Sequence, residues 1–373
     1  MTTLAPDIGT DTLVAHVQRL VECESPSTDA VALARSADEV ATLGEELLGV
    51  APERITLDGT PHLRWRFGAR TRVLLLAHHD TVWPLGSLER LPFRVEDGVM
   101  RGPGCFDMKA GLVMALHAVA SLDDRDGVTI LVTGDEELGS PSSRGLIQDT
   151  ARGAHGALVL EASADGGALK LERKGTALYE VVVAGRAAHA GLEPEKGVNA
   201  TVELAHEVLA VAALADPARG TSATPTAAGS GSTTNTVPAS ARVAVDVRAR
   251  TLAELDRVDA AIRALRPVTP GAQLEILGGI NRPPLEATAS AALFDRAQRL
   301  ARELGLEPLT GAAVGGASDG NFTAGIGVPT LDGLGAVGGA AHADDEHVLV
   351  AELAPRTLLL ARLVADLASG GTP

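Results

Sequence analysis

The chain has 373 residues, long enough for two domains, and 45% of them are apolar, ample for packed cores. Its 48 acidic against 32 basic residues leave a net charge of −16, which argues against a nucleic-acid partner, since that needs basic patches. Aromatic residues make up only 2%, so Ala, Val and Leu must fill the interior through close approach of helices and strands.

Residues 1–20 carry no apolar segment of the signal-peptide kind, and no stretch approaches the ~20 apolar residues of a membrane span. The cysteines Cys23 and Cys105 offer no disulfide framework and fit a reducing compartment. A cytoplasmic location with no membrane partner is therefore expected.

In chain order, residues 32–50 read as a helix with Leu33, Ala37, Val40, Leu43 and Leu47 on one face. Val73 to Ala77 is a wholly apolar run, as expected of a strand covered on both sides. A helix at 109–122 follows, with Leu112, Val113, Leu116 and Val119, and 128–132 and 157–160 repeat the buried-strand pattern. This alternation predicts an α/β sandwich around a mainly parallel sheet.

The character changes near Lys174. A strand at 179–183, a helix at 198–212 and strict alternation at 242–248 predict a sheet with one exposed face. A helix at 252–265 and a strand at 273–277 complete an α+β insert. Residues 223–234 read as either a low-complexity linker or an edge strand plus loop. After Arg282-Pro283-Pro284 the first pattern resumes, with a helix at 291–304, a glycine-rich loop at 311–320 and a terminal helix at 351–367. The expected organisation is a catalytic domain from 1–173 and 283–373, interrupted by a smaller domain at 174–282.

Five segments carry metal-binding side chains: His78-His79-Asp80-Thr81, Gly104 to Lys109, Asp135-Glu136-Glu137, Leu160-Glu161-Ala162, and Ala341 to Asp345. Imidazoles and carboxylates suit Zn²⁺, and two metals need roughly four to six of them. His78 and Asp80 sit at i and i+2 of an extended segment, so Asp80 can orient the far nitrogen of His78 while His79 faces away. Asp107 follows a tight Gly/Pro turn, and its two oxygens can bridge two metals; Cys105 beside it reads as a small buried neighbour. Of the adjacent Glu136 and Glu137, one can ligate while the other keeps a raised pKa and takes a proton from water. Glu161 ends a buried strand, where a charge needs a partner. His342 lies in an aperiodic loop that returns to the first domain. Their joint occurrence points to an enzyme with one dinuclear metal site.

The chain resembles the dinuclear-zinc peptidase family of glutamate carboxypeptidases, acetylornithine deacetylases and aminoacylases. The matching pieces run from Ala77-His78-His79-Asp80-Thr81-Val82 and Gly102 to Lys109 through Gly134 to Ser140, Ala188-His189-Ala190-Gly191 and Asn235-Thr236-Val237-Pro238 to Gly315 to Gly320. The last two, with Gly338 to Glu346, look most like the carboxypeptidase G type of glutamate carboxypeptidase. The resemblance implies two zinc ions per subunit (Co²⁺ or Mn²⁺ being possible substitutes), held by His78, Glu161, Glu137 and His342, with Asp107 bridging. It also implies a cis peptide after Asp107, Glu136 as general base and then acid, and Asp80 as the residue orienting His78. The insert would be a lid through which a homodimer forms. His189 would stabilise the oxyanion, reaching across to the neighbouring subunit's site, and Asn235, Arg282 and Gly316 would bind substrate. A lysine near Lys170–Lys174 stays unassigned. The implied substrate is a small peptide or N-acyl amino acid, cleaved at the amide bond to a C-terminal residue, with glutamate the candidate. A deacylase or dipeptidase of the same family is the alternative.

Gly316-Ala317-Ser318-Asp319-Gly320 also matches a G-x-S-x-G nucleophile elbow, which makes a serine hydrolase the rival enzyme. The elbow needs a strong preceding strand, and 309–314 is expected to be a poor one. A non-catalytic binder on the same fold is the other rival, although it would have no use for Glu136. His16, His62, His117, His155, His206 and His347 read as surface or core residues.

Overall fold

The computed structural model describes residues 9–370; residues 1–8, part of the segment inspected for a signal peptide, and 371–373 lie outside it. Contacts divide the chain into two compact units. The first is Met1–Glu172, Leu285–Val314 and Ser318–Pro373, and the second is Arg173–Pro284 with Gly315–Ala317.

The first unit is built on a six-stranded sheet. Its order is Glu53–Leu57, Thr60–Arg66, Val128–Thr133, Val73–His78, Gly156–Val159 and Thr330–Leu331. The four strands from Val128–Thr133 onward pair in parallel, and the first two add antiparallel. That hairpin was not anticipated, although its turn carries a hairpin signal. Asp58 and Gly59 both take positive φ (49° and 84°), which a two-residue turn between twisted strands requires.

Val73–His78 lies at the centre and is buried at every position. Val73, Leu75 and Ala77 enter one apolar cluster with the helices Thr10–Glu22, Ala30–Leu48, Ala110–Ala120 and Val350–Ala368. Leu74 and Leu76 enter another, with Ile147, Ala157 and Phe322. A strand covered on both faces has no polar side to show, which is why this run is apolar throughout. Small residues set the layer spacing: a Cβ on Gly111 would lie 2.0 Å from the Leu160 carbonyl oxygen. The helix Ala30–Leu48 begins two residues before its expected start because the Asp29 carboxylate accepts from Val31 N and Ala32 N, and it stops where Gly49 turns left-handed.

The second unit is a four-stranded antiparallel sheet in the order Ser222–Ser230, Ser240–Ala249, Gly175–Ala184, Gln273–Arg282. Val181, Val183, Val243, Val245 and Val247 turn inward against Leu204, Val211, Leu255, Val258 and Ile262 of the helices Ala200–Ala212 and Leu252–Arg263. The alternating face along Ser240–Ala249 is more open. The ambiguous stretch at 223–234 is the edge strand Ser222–Ser230 followed by a loop. The last strand runs five residues beyond its expected end, because Gly278 and Gly279 carry it on to a register shift between Ile280 and Arg282.

Candidate metal centre

Parallel strands end on the same edge of a sheet, and chemistry collects beyond their carboxyl ends. Here Val73–His78, Val128–Thr133 and Gly156–Val159 deliver His78, the Glu136–Glu137 turn and Glu161 to that edge. Asp107 arrives on a distorted turn, Cys105–Lys109, entered through Gly104 at φ 72° and containing a cis peptide between Asp107 and Met108. His342 takes φ 64° in its loop, a left-handed conformation that a histidine adopts at a cost of about 1–3 kcal/mol.

These residues form two sets that share one carboxylate. His78 Nε2 lies 3.4 Å from Asp107 Oδ1 and 3.6 Å from Glu161 Oε1. His342 Nε2 lies 3.3 Å from Asp107 Oδ2 and 3.3 Å from Glu137 Oε1. Such separations are long for hydrogen bonds, and His78 Nε2 and Glu137 Oε1 are buried without a hydrogen-bond partner. Atoms ~2.0–2.2 Å from a shared tetrahedral zinc lie about 3.3–3.6 Å apart. Glu136 falls in the group of His78 and Glu161, with ligand-type atoms all within 4.8 Å of one another. The donor set fits a metal ion on each side of Asp107.

Charge agrees. Burial opposes ionisation of Asp107, but His342 and His78 outweigh it and hold the carboxyl well below its usual range. Burial likewise opposes protonation of His78, yet Asp107, Asp80 and Glu161 raise its pKa well above the ordinary value. Asp107 and Glu137 push the His342 imidazole up to about 10. Burial raises Glu137.

The matches to known proteins agree with this geometry. Residues 74–366 match the model of peptidase family M20/M25/M40. The chain belongs to that family. It is 36% identical over 315 residues to carboxypeptidase G2 of Pseudomonas sp. (strain RS-16), covering 80% of this chain and 74% of that one. It is 30% identical to succinyl-diaminopimelate desuccinylase of Methylorubrum extorquens (strain PA1), covering 94% and 97%. Its fold is also that of an M20-family metallo-carboxypeptidase from Sulfolobus solfataricus, with a TM-score of 0.71 at 18% identity, covering 98% and 100%. The protein is a metal-dependent hydrolase of mixed α/β fold.

Within this M20 chain the expected bond from the Asp80 carboxylate to His78 is not the main contact between them. His78 Nδ1 meets the Asp80 backbone oxygen at 3.0 Å, while the carboxylate stands off at 3.4 Å. The carboxylate is engaged elsewhere. It accepts from Ser27 Oγ at 2.7 Å and from the backbone N–H groups of Glu136 and Glu137, each at 3.2 Å. Burial opposes its ionisation, but His78 and Ser27 hold it below the usual range. His79 faces away: Nδ1 meets Ser36 Oγ and Nε2 meets the Pro61 oxygen, each at 3.1 Å, and burial pushes its pKa down to about 4. Cys105 is fully buried and belongs to neither ligand group.

The remaining expected site residues belong to the second unit. His189 and Asn235 come together there, since the strand pairs Ala188–Val237 and His189–Thr236 bring Ala190 N to the Asn235 oxygen at 2.9 Å. His189 Nδ1 accepts from Gly191 N and Leu192 N, both at 3.1 Å, so the neutral ring carries its proton on Nε2. Arg282 is buried at the end of its strand. The Gly316 oxygen accepts from Arg173 Nη1 at 3.1 Å, which draws Gly315–Ala317 into this unit.

Ser318 is fully buried, donates to Asp332 Oδ2 at 2.6 Å and accepts from Gly320 N at 3.1 Å. A hydroxyl so engaged is no nucleophile. The segment before it is the short strand Gly311–Val314, poor as expected, although 311–314 also reads as the start of the loop; among the described residues it pairs only with Leu169–Arg173, whose backbone supplies the bonds its weak composition does not advertise.

Two residues escaped the sequence reading, and a third, Lys170, is left unassigned by it. Ser27 holds Asp80; Lys170 Nζ lies 3.9 Å from Glu161 Oε2; and Glu346 grips the Asp107 turn. The partners of Ser27 and Glu346 are distant in sequence, so no local pattern could have marked them.

Proposed function

We propose that this M20 protein is a cocatalytic zinc metallopeptidase that hydrolyses the amide bond to a C-terminal amino acid in a small peptide or N-acyl amino acid. The observation that carries this reading is the single Asp107 carboxylate facing His78 with one oxygen and His342 with the other. Likeness to carboxypeptidase G2 over most of the chain supports the carboxypeptidase direction, and glutamate as the released residue rests on the motif resemblance alone. Likeness to a desuccinylase along nearly the full length supports the second reading, an N-acyl-amino-acid deacylase using the same site.

In this reading His78, Glu161 and Asp107 hold one ion, and Glu137, His342 and Asp107 the other. Zinc there supplies Lewis acidity towards a carbonyl and makes water more acidic. Glu136 takes the proton of the attacking water on its carboxylate and passes it to the leaving amine. Asp80 holds His78 and the Glu136–Glu137 turn in register. His189 donates from Nε2 to the developing oxyanion. Asn235, Arg282 and Gly316 receive the substrate, Arg282 offering a bidentate grip on its carboxylate.

Residues 1–173 and 283–373 form the catalytic domain, and 174–282 act as a lid and dimerise. The edge strand Ser222–Ser230, exposed along most of its length, and the exposed Val202 and Leu209 on the helix Ala200–Ala212 support association through that face. The compartment proposed is the cytoplasm; among the described residues no helix is long and apolar enough to cross a membrane.

Metal analysis of the purified protein, followed by assay on N-acyl-glutamates, N-succinyl amino acids and dipeptides, tests the reading. Two zinc ions per chain with release of a C-terminal amino acid is the expected result. A chain that stays metal-free after zinc is added back would overturn it.

A further inference from the structure

Glu346 is 3% exposed and stands four residues after His342. Its Oε1 accepts from Phe106 N at 2.8 Å and Asp107 N at 3.1 Å. Its Oε2 accepts from Gly104 N at 2.9 Å and Trp83 Nε1 at 2.8 Å. All four partners can only donate, so each carboxylate oxygen must act as a double acceptor. Three of the donors are backbone amides of one tight turn, a concave arrangement that binds anions. The anion here comes from the loop that also carries His342. One side chain thus joins the backbone of the residue facing both halves of the metal centre to the loop bearing a histidine of one half.

We propose that Glu346 is a positioning residue that sets Asp107 in its bridging orientation and locks the His342 loop to it, so that both halves of the centre assemble together. The inference rests on the two-metal reading of Asp107. Glu346 acts through Asp107 and touches neither the substrate nor the reacting atoms. Its selectivity for donors makes a sharp demand: a side chain of the same size with one acceptor fewer must fail.

The test is Glu346→Gln beside Trp83→Phe and the unchanged protein. Glutamine keeps the shape but turns an NH₂ group towards two N–H donors. Phenylalanine removes one donor and leaves the other three. Zinc affinity is read by titrating the metal-stripped proteins in zinc buffers, and folding by circular dichroism and thermal melting. Turnover is read as kcat and KM at two zinc concentrations. Glu346→Gln is expected to bind both zinc equivalents ~10–100-fold more weakly, the range found when a group supporting a ligand is lost. Its kcat should fall at nearly constant KM and partly recover with excess zinc. Trp83→Phe should move the same way by a smaller factor.

Unchanged zinc affinity in folded Glu346→Gln, with or without a lower melting temperature, would overturn the proposal and leave Glu346 a loop staple. If Glu346→Gln does not fold, Trp83→Phe decides: weaker zinc binding at constant KM supports the proposal, and unchanged binding and kcat overturn it. Failure of the unchanged protein to bind two ions would instead refute the two-metal reading itself.

Discussion

Asp107 stands between two histidines, with Oδ1 3.4 Å from His78 Nε2 and Oδ2 3.3 Å from His342 Nε2. Each histidine has its own second carboxylate, Glu161 for His78 and Glu137 for His342. The shared acid makes the two halves dependent on one side chain. Asp107→Ala should therefore lower metal content for both ions and reduce kcat/KM by more than about 100-fold, beyond the usual cost of losing a group that only supports a ligand. Mass spectrometry of bound metal alongside kinetics checks this; retention of two ions would refute the bridging role.

Glu136 shares the His78–Glu161 group but is not needed to complete either set around Asp107. Glu136→Gln should keep two metals and lose about 10²–10⁴-fold in kcat, the usual contribution of a general base. A near-normal rate with full metal would show that the proton goes elsewhere.

Asp80 joins His78 to the backbone of the turn carrying Glu136 and Glu137. Asp80→Asn keeps the size but replaces an acceptor oxygen with a donor facing N–H groups. The expected loss is ~10–100-fold in metal affinity or activity. Ser27→Ala should reproduce a fraction of it, since the hydrogen bond to the charged carboxylate is worth about 1.5–3 kcal/mol. Equal activity in all three proteins would remove Asp80 from the positioning role.

His189→Ala should preserve metal content and lower kcat by about 10²–10³-fold, the effect of removing one oxyanion donor. Light scattering on the same samples reads the oligomeric state, so loss of turnover through loss of a dimer is seen separately. Unchanged turnover would place the oxyanion donor elsewhere.

Stability should fall as pH rises, through the second unit. Burial, then the neighbouring Glu203, push Glu207 up to about 7. Glu203 accepts from Val268 N at 2.8 Å and Thr269 N at 2.6 Å, so the proton of the pair belongs on Glu207. A raised folded pKa gives stability that is whole below the unfolded value near 4.5 and is lost as pH rises through 7. Melting temperature should drop between pH 5 and pH 8, and Glu207→Gln should flatten that slope. A drop of equal size in the variant would assign it to other groups.

The sequence by itself marked the segments that the fold brings to one sheet edge, because strand ends and glycine turns leave local marks: an apolar run before His78, Gly104 before Asp107, and an acidic turn after the strand ending at Thr133. It also exposed the change from strands buried on both faces to strands that alternate. It could not say whether 223–234 was linker or strand, since an edge strand of Ala, Ser and Thr is made by its neighbour's hydrogen bonds and not by its own side chains. Nor could it show which oxygen of Asp107 meets which histidine, that the Asp80 carboxylate grips the Glu136–Glu137 turn, or that Glu346 reaches back to hold the Asp107 turn. Those are contacts between residues 29 to 242 positions apart, and geometry of that range exists only once the sheet has brought its strand ends to one edge.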